Sequence, residues 1–174
     1  MSNNITIMGE LSVNNDTVTF DWREITSYEK ACEVLNIRPI KLNKASDRPL
    51  YVNAASAVQQ LLTICEAING NGKWYNEYGD SYYPILILYP KEEMQDLGEE
   101  ECRNKGIRPL LTAIEAHDAV YTGVRCLGAC GSEECIYMRY GVPLRLNSKE
   151  KANFIGEQFF ELCCQCCGLT PLTE

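Results

Sequence analysis

The sequence predicts an α+β fold in which residues 1–174 form one domain, with a mainly antiparallel sheet packed by two to three amphipathic helices. Three observations predict this class. A chain of 174 residues has the length of one ordinary domain. Hydrophobic residues make up 45% of the sequence and charged residues 23%, which is typical of globular proteins. Helical and alternating apolar patterns follow one another without an internal repeat or a change of composition.

Strand and helix patterns alternate near the N-terminus. Alternation over Asn3–Met8 and Thr17–Phe20, around the turn residues Asn14-Asn15-Asp16, predicts a β-hairpin or two short strands. Thr26 and Glu29 have the spacing of a capping box, which predicts that a short helix begins there.

A second helix is predicted after a linker at 38–49. Its apolar positions recur at helical spacing, at Val58, Leu61, Leu62, Cys65 and Ile68. The helix should end at Asn69-Gly70-Asn71-Gly72, because glycine and asparagine tolerate a positive φ.

Four strands and one polar segment are predicted in the second half. The apolar run Ile85–Tyr89 lies between two prolines, which favours a short, internal strand. Residues 91–106 are polar and have helical character, so we expect an exposed insertion. Alternation predicts three further antiparallel strands at Val120–Leu127, Cys135–Tyr140 and Pro143–Leu146.

The last predicted element is an amphipathic helix that begins at Asn147 or Ser148, where Asn147 and Glu150 have capping-box spacing. Its apolar stripe, which should cover one face of the sheet, consists of Ala152, Ile155, Phe159, Leu162, Cys163 and Cys166.

The charge balance disfavours one class of partner. Sixteen basic and 24 acidic residues give a net charge of −8, and negative charge repels the phosphates of nucleic acid. The sequence shows no secretory signal and no apolar run of about 18 residues, so we expect no membrane partner. These features predict a cytoplasmic protein whose ten cysteines are mostly reduced.

Seven cysteines after residue 120 could form a thiolate zinc site, for which two pairs with a spacing of two to four residues are usual. Reduced cysteine also packs as a small hydrophobic residue, and this interpretation is the stronger. Cys163 and Cys166 then lie on the apolar stripe, whereas Cys164 and Cys167 face elsewhere. We therefore predict no metal ligand and no cofactor, with redox or disulfide switching as a further alternative. The seven are Cys126, Cys130, Cys135, Cys163, Cys164, Cys166 and Cys167.

No catalytic arrangement is recognisable. A cysteine nucleophile needs a base, and His117, the single histidine, lies in a segment that predicts a loop or a helix end. No glycine-rich loop has the spacing of a phosphate-binding motif. The sequence therefore favours a protein that is not an enzyme, and a cysteine-dependent enzyme is the least favoured alternative.

A tyrosine-rich segment, between the second helix and the strand at Ile85, is the predicted binding surface. Its side chains combine large apolar faces with polar tips, which suits contacts with a protein or with a planar ligand. A loop that folds back to close the core is an equally good interpretation. Trp74 and Tyr83 are then expected in the core, and the other tyrosines at the surface. The candidate binding residues are Trp74, Tyr75, Tyr78, Tyr82 and Tyr83.

These residues also carry a family resemblance. Thr63–Asn69, followed by Trp74-Tyr75-Asn76 and then Tyr82-Tyr83-Pro84, resembles a group of small uncharacterised proteins of Bacteroidota and of their phages and mobile elements. In that group a helix that ends in an EAxN pattern leads to a tryptophan and asparagine pair and then to YYP at the start of a strand.

The resemblance extends to both ends of the chain. It includes Tyr28–Leu35, Arg145-Leu146, Ala152 and Gln158-Phe159, which are packing and turn residues. The resemblance therefore implies a shared fold and an accessory role in a phage or mobile element, within the host cytoplasm, and it assigns no catalytic residue.

Two functions are expected. The first is a non-enzymatic accessory protein, such as a virion component or an inhibitor of a host system, that binds another protein or a second copy of itself. The alternative is a protein that binds or sequesters a small planar, nucleotide-like ligand through the same tyrosines.

Overall fold

The computed structural model of the chain describes residues 10–13, 16–40, 49–70, 82–116, 118–130 and 144–172. The α+β class is confirmed, although these residues contain five α-helices where the sequence predicted two to three. In chain order the elements are β1 (Glu10–Val13), β2 (Asp16–Thr19), α1 (Tyr28–Val34), α2 (Pro49–Asn69), β3 (Tyr82–Pro90), α3 (Lys91–Asn104), β4 (Arg108–Ala116), β5 (Ala119–Cys130), α4 (Lys149–Gln158) and α5 (Phe160–Cys166).

Strand β5 is the centre of the main sheet, which has the order β3-β5-β4 with antiparallel neighbours. It contains the strand predicted at Val120–Leu127. Strands β1 and β2 pair with each other as a separate antiparallel hairpin. The predicted hairpin is confirmed, but its first strand is β1, and Asn3–Met8 lies outside the described residues.

Strand β3 lies at an edge of the main sheet, so its predicted internal position is wrong. The N–H and C=O of Tyr82 bond to the backbone of Leu146, at 3.1 and 2.8 Å, and not to β5. Alternate residues of a strand direct their backbone groups to the same side, so Pro84 places its missing N–H on this outer side. The ladder with β5 loses no hydrogen bond there, which explains how a proline fits within the strand.

Strand β4 has no counterpart in the sequence-based prediction. Pro109 is opposite Gly123 and Ile114 is opposite Tyr121, so residues 110–113 of β4 face a single residue of β5. Such an irregularity bends the strand and breaks the alternation of apolar and polar residues. The pattern that reveals a regular strand is therefore missing from this segment.

The C-terminal segment extends the sheet beyond β4. The N–H of Leu111 donates to the carbonyl oxygen of Thr170 at 2.8 Å, and the N–H of Leu172 donates to that of Pro109, also at 2.8 Å. Part of the outer edge of β4 is therefore covered by the chain itself.

The two remaining predicted strands, Cys135–Tyr140 and Pro143–Leu146, are not strands among the described residues. Cys135–Tyr140 lies outside the described residues. In the described part of Pro143–Leu146, Leu146 forms only an isolated bridge, to Tyr82. The prediction of a strand there is wrong.

Residues 91–106, expected as an exposed insertion, form α3 and the turn after it. Most of the helix is exposed, and it kinks at Gly98, whose φ is 72°. Cys102 is buried, and the side chain of Met94 packs directly on Gly123 of β5. The segment therefore covers part of one face of the main sheet.

Helix α1 begins one residue later than the capping-box spacing predicted. The Oγ of Ser27 accepts a hydrogen bond of 3.1 Å from the N–H of Lys30, so Ser27 and not Thr26 is the N-cap. Both residues can cap a helix, and the spacing alone does not distinguish them.

The predicted C-terminal helix is confirmed as two helices. Ser148 is the N-cap of α4, and its Oγ accepts a hydrogen bond of 3.3 Å from the N–H of Lys151. Phe159, with a φ of −116°, separates α4 from α5. The predicted stripe is buried or half-buried along both helices.

The main core lies between the sheet and helices α1, α2, α4 and α5. Four of the five apolar positions predicted in α2 are buried or half-buried, whereas Val58 is exposed. No helix in the described parts of the chain is long and apolar enough to cross a membrane. The largest fully buried side chains include Ile25, Leu61, Ile64, Ile68, Leu86, Val124 and Ile155.

Candidate functional site

Both ends of the tyrosine-rich segment are attached to the same two consecutive residues. Before the segment, the Nδ2 of Asn69 donates to the carbonyl oxygen of Arg145 at 2.9 Å. After it, the backbone of Tyr82 makes two hydrogen bonds with the backbone of Leu146. We call these four residues the corner. They form a fixed base at the two described ends that flank residues 71–81 in the sequence.

Local chemistry explains why α2 ends at the corner. Gly70 has a φ of 65°, a conformation that glycine adopts at low cost. Its N–H donates to the carbonyl oxygen of Glu66 at 3.2 Å, which satisfies one of the last carbonyls of the helix. The side chain of Asn69 is then free to reach Arg145, which is 76 residues later in the chain.

The corner holds two buried polar atoms without a hydrogen-bond partner, Oδ1 of Asn69 and Nε of Arg145. One is an acceptor and the other a donor. A buried polar group left unpaired costs about 1–3 kcal/mol, so such groups are usually satisfied by protein, water or ligand. Arg145 also makes no salt bridge within the described part of the chain. The corner therefore holds one unmet donor and one unmet acceptor, both shielded from solvent.

Two of the predicted binding residues lie at the start of β3. Tyr82 and Tyr83 are both half-buried, and Tyr82 packs against the main core. The expectation of a surface position for Tyr82 is therefore only partly met. Trp74, Tyr75 and Tyr78 lie outside the described residues.

Six of the described cysteines form a second feature, which we call the thiol cluster. Helix α2 contributes Cys65 and β5 contributes Cys126. Helix α5 contributes Cys163, Cys164 and Cys166, and Cys167 follows as its C-cap. Cys65, Cys126, Cys163 and Cys164 are all buried in the main core. Cys164 is fully buried, so the expectation that it faces away from the core is wrong.

Burial makes these thiols poor nucleophiles. It raises the pKa of Cys65 and of Cys164 well above the ordinary value, and that of Cys166 to about 12. The pKa of Cys163 is raised first by its hydrogen bond with Cys126 and then by burial. Because the thiolate is the reactive form, these four thiols are chemically quiet near neutral pH.

The described residues give no support for a preformed zinc site. Among them, no group of three or more histidine, cysteine, aspartate or glutamate side chains is arranged to hold a metal ion. Cys135 lies outside the described residues, and so does His117, the candidate catalytic base. The thiol cluster is best described as core packing by small apolar side chains.

A third feature is an open depression at the turn between β4 and β5. Its described lining includes the carboxylates of Glu115 and Asp118 together with Ala116, Ala119 and Val120. The described lining combines no nucleophile with a base, so it offers less chemistry than the corner.

Comparison of the chain with protein families, with curated proteins and with solved structures finds no match. The site is therefore argued from its own geometry. Asn69 and Arg145 were not predicted as functional residues, although both belong to the stretches that carry the family resemblance. That coincidence is the one feature of the sequence that could have identified them.

Proposed function

We propose that this protein is a non-enzymatic accessory protein, of phage or mobile-element origin, that binds another protein through its tyrosine-rich segment. The observation that carries the proposal is the attachment of both ends of the segment to Arg145 and Leu146. Twelve residues, 70–81, separate the attached residues Asn69 and Tyr82, and this sequence length lies within the range of about 6–16 residues typical of Ω-loops, which are frequently functional.

The fixed base supports binding for an energetic reason. A loop that is free at both ends loses conformational entropy when a partner orders it, at about 1–2 kcal/mol per residue. Hydrogen bonds at Asn69 and Tyr82 fix the ends before the partner arrives, so less entropy is lost on binding.

The composition of the site supports a protein partner. Tryptophan, tyrosine and arginine are the residues that most often dominate the affinity of protein interfaces. The segment supplies Trp74, Tyr75 and Tyr78, and the corner supplies Arg145 beside it. The partner would be another protein or a second copy of this chain.

A planar small molecule is the second candidate, and one observation favours it. Nε of Arg145 is an unmet donor and Oδ1 of Asn69 is an unmet acceptor. The edge of a nucleobase presents an acceptor and a donor side by side, and its face stacks on aromatic side chains. Native mass spectrometry of the untagged protein tests this candidate. The wild-type protein should carry a bound organic molecule, and the Asn69→Ala variant should not.

Site-specific photo-cross-linking in the cell of origin tests the main proposal. A photoreactive phenylalanine derivative replaces Tyr75 or Tyr78 in the segment, or Val58 or Leu111 as controls. The two controls are exposed apolar residues elsewhere on the chain, with 39% and 62% of their surface accessible. Adducts are identified by mass spectrometry of the purified protein.

We expect one protein to form adducts at Tyr75 or Tyr78 and not at either control position. An adduct between two copies of the chain identifies self-association through the segment. Equal adducts at Leu111 and Tyr78, or adducts at the controls alone, would overturn the proposal.

A further inference from the structure

The thioether of Met94 joins the first half of α3 to the central strand of the main sheet. The side chain packs on the backbone of Gly123 in β5, where it fills the space that a Cβ atom would need, and Ile107 packs at the same point. The Sδ of Met94 lies 3.9 Å from the Sγ of Cys102, farther along the same helix. Met94 is half-buried, whereas Cys102 is buried with 5% of its surface accessible.

A kink separates Met94 from Cys102. Gly98 has a φ of 72° and a ψ of 168°, a conformation that is essentially restricted to glycine. A Cβ atom at Gly98 would meet no atom within 4 Å, so the glycine is required by the backbone and not by a lack of space. The kink divides α3 into a first half, residues 91–97, and a second half, residues 99–104.

The two halves are held to the rest of the fold unequally. Within residues 91–97, Met94 and Leu97 are half-buried and the other five residues are exposed. The second half is fixed by the buried side chain of Cys102, whose carbonyl oxygen also accepts a hydrogen bond of 2.8 Å from the N–H of Ile107. Loss of the Met94 contact should therefore loosen the first half and leave the second in place.

We propose that Met94 is an oxidation site, at which a peroxide converts the thioether to a sulfoxide and so releases the first half of α3 from the sheet. Gly98 is the hinge of this movement. The oxidation site differs from the proposed binding surface in place and in chemistry, and it stands without it.

The reaction balances with hydrogen peroxide as the oxidant. A lone pair of the Met94 sulfur attacks one peroxide oxygen, the S–O bond forms, and the O–O bond breaks. The departing hydroxide takes the proton of the transferred oxygen and leaves as water. The sulfur loses two electrons and the peroxide gains them. A thioether has no proton to lose before it reacts, so Met94 can react near neutral pH, where the buried thiols of Cys65 and Cys164 are quiet.

A sulfoxide does not suit the contact that the thioether makes. The groups at this contact include the backbone of Gly123, the apolar side chain of Ile107 and the thiol of Cys102, which is a weak donor. The new oxygen is a polar acceptor, and a buried acceptor without a partner is costly. Since Met94 is half-buried, an outward movement of residues 91–97 exposes the sulfoxide to water.

Hydrogen-exchange mass spectrometry of the full-length protein tests the proposal. The wild type and Met94→Leu are treated with hydrogen peroxide, and peptide mapping measures the gain of one oxygen atom at each methionine. Leucine has nearly the volume of methionine and cannot be converted to a sulfoxide, so this variant is the matched control. Met1, Met8 and Met138 are present in both proteins, so an effect of their oxidation appears in both.

In the oxidised wild type, the amides of residues 94–97 should exchange at least about tenfold faster than in the untreated protein. Exchange at residues 99–104 should change by less than about twofold. Methionine sulfoxide reductases, which regenerate the thioether, should restore the slower exchange. In Met94→Leu, peroxide should leave the exchange at residues 94–97 unchanged.

Three results would overturn the proposal. The first is a Met94 that stays reduced while Met1, Met8 and Met138 are all oxidised, which would show that peroxide does not reach its sulfur. The second is complete oxidation of Met94 with unchanged exchange at residues 94–97. The third is an equal acceleration in Met94→Leu, which would assign the effect to oxidation elsewhere in the chain.

Discussion

The Oδ1 of Asn153 accepts a hydrogen bond of 2.7 Å from the backbone N–H of Gly128. Gly128 lies in β5 beyond Val124, where the pairing with β4 begins at Arg108, so this N–H has no ladder partner on that side. A side chain of α4 thus takes the place of the missing strand. The close approach depends on glycine, because a Cβ there would lie 2.8 Å from the backbone N of Asn153.

We expect Asn153→Ala to lower the free energy of unfolding by about 1–2 kcal/mol, because it leaves a buried N–H without an acceptor. Asn153→Asp keeps an oxygen acceptor and should retain most of the stability. Urea unfolding of the three proteins measures the difference. Equal losses in the two variants would show that the hydrogen bond contributes nothing.

Two serine caps should each contribute about 1 kcal/mol. The Oγ atoms of Ser27 and Ser148 accept hydrogen bonds from N–H groups of the first turns of α1 and α4. Ser27→Ala and Ser148→Ala should therefore both lower the free energy of unfolding. Ser56→Ala, within α2, is the matched control and should be neutral or slightly stabilising, since alanine favours a helix interior. If Ser56→Ala lowered the free energy of unfolding as much as the two cap variants, the assignment of Ser27 and Ser148 as N-caps would be contradicted.

The buried cysteines of the thiol cluster should make the free energy of unfolding fall at alkaline pH. Burial raises the folded-state pKa of Cys65 above its unfolded value of 9.0. The contribution of the Cys65 thiol to the free energy of unfolding is therefore complete below pH 9. It declines as the pH rises above 9, because the unfolded chain then releases a proton that the folded chain keeps.

For Cys65 the predicted slope is about 1.4 kcal/mol per pH unit above pH 9. Urea unfolding between pH 8 and roughly 10.5, under reducing conditions, measures it. Cys65→Ala lowers the stability at every pH but should also make the slope smaller. An unchanged slope in this variant would show that Cys65 titrates in the folded protein as it does in the unfolded chain.

Loss of the Asn69 side chain should loosen the corner. Asn69→Ala removes the hydrogen bond to Arg145, at a cost of about 1–2 kcal/mol, and should speed hydrogen exchange at the amides of Tyr82 and Leu146. Thr63→Ala is the control, because Thr63 bonds only to the carbonyl oxygen of Gln59 in its own helix. Exchange that accelerates equally in both variants would mean that Asn69 does not support the corner.

The sequence predicted those elements whose signals are local. Helix α2 and strand β5 follow from periodicity, and the N-cap Ser148 follows from residue type. Strand β4 could not be predicted, because the irregularity at 110–113 removes its alternation. Cys164 was misplaced because α5 packs against α2, α4 and β3 and buries more than one stripe.

The same distinction between local and tertiary signals applies to the candidate site. Composition alone identified the tyrosine-rich segment. The corner was not predictable, because Asn69 and Arg145 meet only through the tertiary fold and no local pattern relates two residues 76 positions apart.

The most direct test of the account is the dissociation constant for the partner recovered by cross-linking at Tyr78. Tyr78→Ala should weaken binding at least about tenfold, as expected when a dominant interface residue is truncated. Leu111→Ala, at an exposed position elsewhere on the chain, should leave the constant within about twofold of the wild-type value. An unchanged constant for Tyr78→Ala together with weaker binding by Leu111→Ala would contradict the account and place the interface beside β4.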